Sequence, residues 1–193
     1  MDKQRCSHKQ KHVLLSLFLL QFADTMGAQQ STMDAQQSTI HITNKTRGYT
    51  LRNPSLHFVS GCRQIPLPRK LEPSESGNAL FSGSTGHGSV GVFTYDLYNT
   101  TTDRADKKIA VMFSFGYSRY SKCFAVGVFD RETNCDNDLF FNKMYYSDER
   151  GFVRGKADDH GPDLKYRDDG VDVTLGMTNS SVATLKVVVV LIR

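Results

Sequence analysis

KIAVMFSFGYSRYSKCFAVGVFD, residues Lys108 to Asp130, decides the fold. Two apolar runs rich in Val, Phe, Ile and Ala flank a short loop, the pattern of paired β-strands. The loop carries Tyr117 and Tyr120, and Met144-Tyr145-Tyr146 follows soon after. Aromatic rings at a strand junction usually complete a core. Phenols clustered on loops also form cages for quaternary ammonium groups, the chemistry of a choline headgroup.

Outward from this block the texture repeats. From Ile40 short β-prone runs alternate with Gly, Pro, Asn and Asp, as in a sandwich or barrel. Ile40 to Thr43, Tyr49 to Leu51, Ser55 to Ser60, Ser89 to Leu97, Lys108 to Phe115, Cys123 to Asp130, Val171 to Leu175 and Ala183 to Ile192 are the expected strands. Residues Ile65 to Pro73, IPLPRKLEP, hold three of the five prolines. Proline cannot donate to a ladder, so this segment is expected to cross between strands. In DNDLFFNKMYY, Asp136 to Tyr146, the residues Leu139, Phe140, Lys143 and Met144 fall at helical spacing, with Asn134 or Asp136 as the cap. Gly86, Gly88 and Gly91 precede or enter a strand, the wrong order for a phosphate loop, and read as a turn.

The 193 residues, 39% hydrophobic and 23% charged, suit one domain with a proper core. The N-terminus reads as a secretory signal over residues 1–27: a basic stretch from Lys3 to His12, the apolar run Val13 to Leu20, then small residues around Ala23, Gly27 and Ala28. That run is far shorter than the roughly 20 residues that span a bilayer. Val187 to Ile192, the longest apolar rival, reads as a final strand, so the chain is expected to be soluble when made. Residues 28–39 repeat AQQST without an apolar stripe and form a polar leader; 40–193 form the domain. Removing 1–27 lowers the formal charge from +4 to +2, too weak an excess for nucleic-acid binding to be the main task. It also removes Cys6, leaving Cys62, Cys123 and Cys135, which admit one bridge and one free thiol, or no bridge. In a secreted chain Asn44, Asn99 and Asn179 open glycosylation sequons.

Catalysis finds little support. His41, His57, His87 and His160 are scattered, no nucleophile elbow is present, and the cysteine spacing fits no zinc pattern. The acids at Asp158-Asp159, Asp163 and Asp168-Asp169 miss the calcium-loop spacing and read as a solvated loop. No cofactor or metal is expected, and no enzyme activity.

From about Ile40 the chain resembles the actinoporin-like family, the pore-forming cytolysins of sea anemones and their relatives in other animals, including vertebrates. The matching pieces keep family order: Ser60-Gly61, IPLP, ALFSG at Ala79 to Gly83, HGSVGVFTYDL, the AVMFS run, RYS at Arg119 to Ser121, and MYY. The resemblance implies a mainly β fold, one compact β-sandwich flanked by one or two short helices. It also implies recognition of phosphocholine headgroups on sphingomyelin membranes, then homo-oligomerisation into a cation-permeable pore. The implied headgroup residues are Ser60, Val90, Ser114, Tyr120, Tyr145 and Tyr146, with Tyr117 and Phe124 at the membrane interface.

Four departures stand out. Gly116 replaces a family proline, Phe141 replaces a helix tyrosine, the family Arg-Gly-Asp triplet is Arg150-Gly151-Phe152, and the chain has no tryptophan. Tryptophan anchors best at headgroup level, so an altered membrane preference is expected. The polar leader lacks the apolar face of a pore-lining helix. A non-perforating lipid- or carbohydrate-binding module of the same fold is therefore the alternative expectation.

Overall fold

The computed structural model describes residues 37–83, 88–116, 122–147, 150–157, 163–168, 170–180 and 182–191, without the side chains of 106, 141 and 191. The signal 1–27, most of the leader, Tyr117, Tyr120, His87 and His160 lie outside the described residues. So does the Phe141 side chain.

Among the described residues twelve strands form two six-stranded sheets. They are β1 (Gln37–Asn44), β2 (Tyr49–Ser60), β3 (Cys62–Ile65), β4 (Lys70–Leu71), β5 (Ser76–Ser82), β6 (Ser89–Asn99), β7 (Arg104–Phe115), β8 (Cys123–Asp130), β9 (Phe152–Lys156), β10 (Leu164–Asp168), β11 (Val171–Met177) and β12 (Ala183–Leu191). The first sheet has the order β10-β11-β12-β1-β5-β3 and the second β4-β2-β6-β7-β8-β9. Among the described strands only the β1–β12 pair is parallel; the others are antiparallel. The molecule is the expected β-sandwich. The proline-rich segment does cross, carrying the chain from β3 in one sheet to β4 in the other.

Alternation along each strand builds the core. Phe93, Val111, Phe113, Phe115, Phe124, Val126 and Val128 of the second sheet meet Ile40, Ile42, Phe81, Val173, Leu175, Leu185 and Val187 of the first. Phe58 and Phe81 meet edge to face at 5.1 Å, and Phe81 lies 5.2 Å from Phe113. Such pairs add about 0.5–1.5 kcal/mol beyond the area they bury.

Among the described residues there is one helix, α1 (Leu139–Tyr145), wound with i→i+5 hydrogen bonds. Asp136 caps it, its Oδ1 accepting from the Leu139 N–H at 3.0 Å. Leu139, Phe140 and Met144 bury against Val92, Ala110, Met112 and Ala125, a second, smaller core on the outer face of the second sheet.

Several sequence expectations need correction. The first strand begins at Gln37, inside the expected leader, with Ser38 fully buried. Tyr49 to Ser60 is one strand, interrupted by a bulge at Asn53 and Pro54 that puts Asn53 at positive φ. Strands β3, β4, β5, β9 and β10 were not expected, and β4 lies within the proline-rich crossing segment. β10 occupies part of the supposed acidic loop, where Arg167 clasps Asp172 through two 2.8 Å bonds.

Candidate functional site

The registers of the second sheet bring the expected residues into one row. Ser60 pairs with Val90, Val90 with Ser114, Ser114 with Cys123, and Cys123 with Lys156. Register partners share a face. Ser114 lies between Phe113 and Phe115, both core residues, and so faces outward with Met112. The row therefore crosses the outer face of five strands, at the end of the sheet where β2 stops and β8 begins.

The helix end closes over this row. Val90, Cys123 and Tyr145 all pack against the small outer core. Tyr145 stacks on Phe140 at 5.4 Å, one i→i+5 bond below it. Tyr146 crosses Tyr145 edge to face at 4.8 Å and is 69% exposed. Arg154 fixes this tip from β9: its Nη1 donates to the carbonyls of Met144 at 3.1 Å, Ser147 at 3.2 Å and Tyr145. A cation on the last carbonyls of a helix satisfies acceptors that have no partner within it.

On the opposite flank the Ser60 hydroxyl donates to the Gly88 carbonyl at 3.0 Å. Gly88 runs so close to β7 that a Cβ there would lie 1.6 Å from the Phe115 carbonyl oxygen. Only glycine fits, and this close crossing brings the Val90 and Ser114 strands together. Ser114 is 6% exposed and forms the floor of the row, its hydroxyl bonded to the Cys123 thiol.

Burial pushes the Cys123 thiol up from its usual range, opposed by the Ser114 hydrogen bond and the positive charge of Arg154 and Lys156. The Tyr145 phenol is also raised, first by the neighbouring Cys123, then by desolvation and by Tyr146. Both groups thus stay neutral at physiological pH. The site offers hydroxyls, a valine surface and phenol faces, with an exposed ammonium, Lys156, at its far end. Such a set suits a ligand with a cationic and an anionic part.

Of the expected residues, Ser60, Val90, Ser114, Tyr145 and Tyr146 come together, while Tyr117 and Tyr120 lie outside the described residues. Phe124 does not belong with them. It is 4% exposed and packed in the main core opposite Phe113, because alternation turns it away from the face that Cys123 occupies. Its assignment to a membrane interface is withdrawn. Asn44 is also withdrawn as a glycosylation site. It is fully buried, and its Nδ2 donates to the Tyr49 and Leu71 carbonyls at 2.7 and 3.0 Å. Asn99 sits at the exposed β6–β7 hairpin and Asn179 in the β11–β12 connection. Cys123, Arg154 and Lys156 were missed; only the parity of β9 would have revealed the last two. Cys123 and Cys135 are free thiols.

A separate small cleft of about 60 Å³ opens at the other end of the sandwich, by Tyr49, Leu97, Arg104, Lys107 and Asp168. Lys107 lies across it, 4.0 Å from Asp168 and 3.5 Å from Asp130.

No curated protein sequence matches the chain. Among solved structures it is similar in fold to the lipid-binding protein Nakanori, at 12% identity and a TM-score of 0.56, over 80% of this chain and 71% of that one. A Xerocomus chrysenteron lectin, XCL, aligns at 11% identity and a TM-score of 0.44, over 80% of this chain and 99% of that one. The sequence model of the sea anemone cytotoxic proteins matches residues 29–190, most of the chain. The chain therefore belongs to the sea anemone cytotoxic protein family, the actinoporins.

Proposed function

We propose that this protein binds membranes by holding choline headgroups between the outer face of the second sheet and the tip of α1. It then associates with further copies and opens a cation-permeable pore, without catalysis. The observation that carries the reading is the convergence of Ser60, Val90 and Ser114, from three strands, beneath the Tyr145–Tyr146 pair. The phenol faces receive the quaternary ammonium, each such contact being worth about 0.5–2 kcal/mol. Lys156, at the β9 end of the row, answers the phosphate. Nakanori's description as a lipid-binding protein and the cytotoxic family fit this reading.

Tyr120 and Tyr117 complete the proposed site from the adjoining loop, and secretion through residues 1–27 delivers the protein to its target membrane. Gln37, where β1 begins, pairs with Ser82, which pairs with Cys62, two residues beyond Ser60. β1 thus begins at the headgroup end, where a perforating segment joined to it would be needed. The composition before β1 favours the other reading, a module that binds and never perforates, because Ala28 to Gln36 is polar without an apolar stripe.

Sedimentation with sphingomyelin vesicles, run beside dye release from them, tests both steps. Binding with release supports the cytolysin, binding without release supports the recognition module, and absence of binding overturns both.

A further inference from the structure

Four large apolar side chains are exposed among the described residues: Val59 at 41%, Ile65 at 51%, Tyr146 at 69% and Val182 at 60%. Three of them stand at one end of the sandwich. Tyr146 is at the helix tip. Val59 precedes Ser60 at a register slip, where Phe58 pairs with Gly91 but Ser60 with Val90, so the extra residue is turned outward. Val182 immediately precedes Ala183, the first residue of β12.

Pairing fixes Val182 at that same end. Ala183 pairs with Ser38, Ser38 with Phe81, and the next residue, Ser82, with Cys62. Lys122, the residue before Cys123, gives an independent tie. It is 4% exposed, and its ammonium donates to the carbonyls of Asn179, at 3.3 Å, and Ser180. The Lys122 carbonyl accepts from the Ala157 N–H at 3.1 Å, next to Lys156. A buried cation is costly unless paired, so this one holds the β11–β12 connection firmly against the base of the headgroup row. Within that connection Ser180 Oγ donates to the Val182 carbonyl, and the Thr184 N–H to Thr178 Oγ1 at 2.8 Å.

We infer that Val59 and Val182, one from each sheet, are apolar contacts that enter the headgroup–acyl boundary of a choline-lipid bilayer when the row beside them takes a headgroup. The inference rests on the headgroup reading above. Two valines flanking a polar site on both sheets set the sandwich upright on the surface. They supply there the apolar contact that the buried Phe124 does not. The exposed Lys156 on the same end suits the phosphate layer.

The absence of tryptophan from the chain makes the test direct. Val59→Trp and Val182→Trp each introduce a single reporter, and Thr102→Trp, in the exposed β6–β7 hairpin at the opposite end, is the control. With vesicles of sphingomyelin and brominated phosphatidylcholine, emission from the first two should shift to the blue and be quenched, while the control stays unchanged. Val59→Ser combined with Val182→Ser should weaken vesicle binding about tenfold and leave affinity for soluble phosphocholine unaltered. Variants that co-sediment with vesicles without a shift, or serine variants that bind as the parent does, overturn the inference and leave the headgroup reading standing. Failure of the parent protein to co-sediment overturns both.

Discussion

Ser114 on β7 and Cys123 on β8 are register partners whose hydroxyl and thiol meet on the outer face of the second sheet. One residue further, Phe113 and Phe124 are partners on the inner face, both almost fully buried. A strand's period of two thus separates a site residue from a core residue at adjacent positions. Phe124→Ala should destabilise the protein by about 3–5 kcal/mol in chemical denaturation, and the folded fraction should keep its vesicle affinity. Loss of vesicle binding at full stability would return Phe124 to the interface.

The thiols give a pH-dependent signature. Burial raises both Cys123 and Cys135, so the folded state holds these protons more tightly than the unfolded chain. Their contribution to stability is complete below the ordinary thiol range, about 8.5, and is lost as pH rises through the folded-state values. At neutral pH both should alkylate more slowly than free cysteine. Soluble phosphocholine should slow Cys123 further and leave Cys135 unchanged, as peptide mass spectrometry would show.

Tyr145 and Tyr146 should act through their ring faces. Replacing either by alanine should cost about 0.5–2 kcal/mol of phosphocholine affinity, while Tyr146→Phe retains most of it. Arg154→Leu touches no proposed ligand but frees the helix tip that it tethers. It should weaken phosphocholine binding several-fold, with a smaller loss of thermal stability than Phe124→Ala. Equal affinity in Tyr146→Ala and parent would remove that ring from the site.

Asn44 anchors the β1–β2 turn. Its Oδ1 accepts from the Thr46 N–H at 3.1 Å and the Thr46 hydroxyl at 2.7 Å, in addition to the two bonds its Nδ2 donates. Asn44→Ala strands several buried partners and should cost about 2–4 kcal/mol in denaturant titrations. In protein expressed through a secretory pathway, mass spectrometry should find no glycan at this asparagine.

Long apolar strands were legible in the sequence because they bury both faces. β8 has the bounds expected of it, Cys123–Asp130, and β6 and β7 were only extended. β5 was hidden because Ser76, Gly77 and Asn78 look like a turn, although it lies between β1 and β3. β9 and β10 are short, charged edge strands, FVRGK and LKYRD, whose alternation is visible only once their partners are known. The same reason hid Lys156: its place in the row comes from pairing with Cys123, not from any local motif. Tyr145 and Tyr146 were legible from the helix pattern and the family resemblance together. Phe124 misled because its position in the sequence suggested an interface, whereas parity on β8 sends it inward.

The most direct measurement is the map of backbone amide shifts on titrating the protein with soluble phosphocholine. The proposed site requires shifts concentrated at Ser60, Val90, Ser114, Cys123, Tyr145 and Tyr146, all abolished in Tyr145→Ala combined with Tyr146→Ala. Shifts centred instead on the Arg104–Lys107 cleft at the opposite end, or no saturable shifts at all, would contradict headgroup recognition by this row.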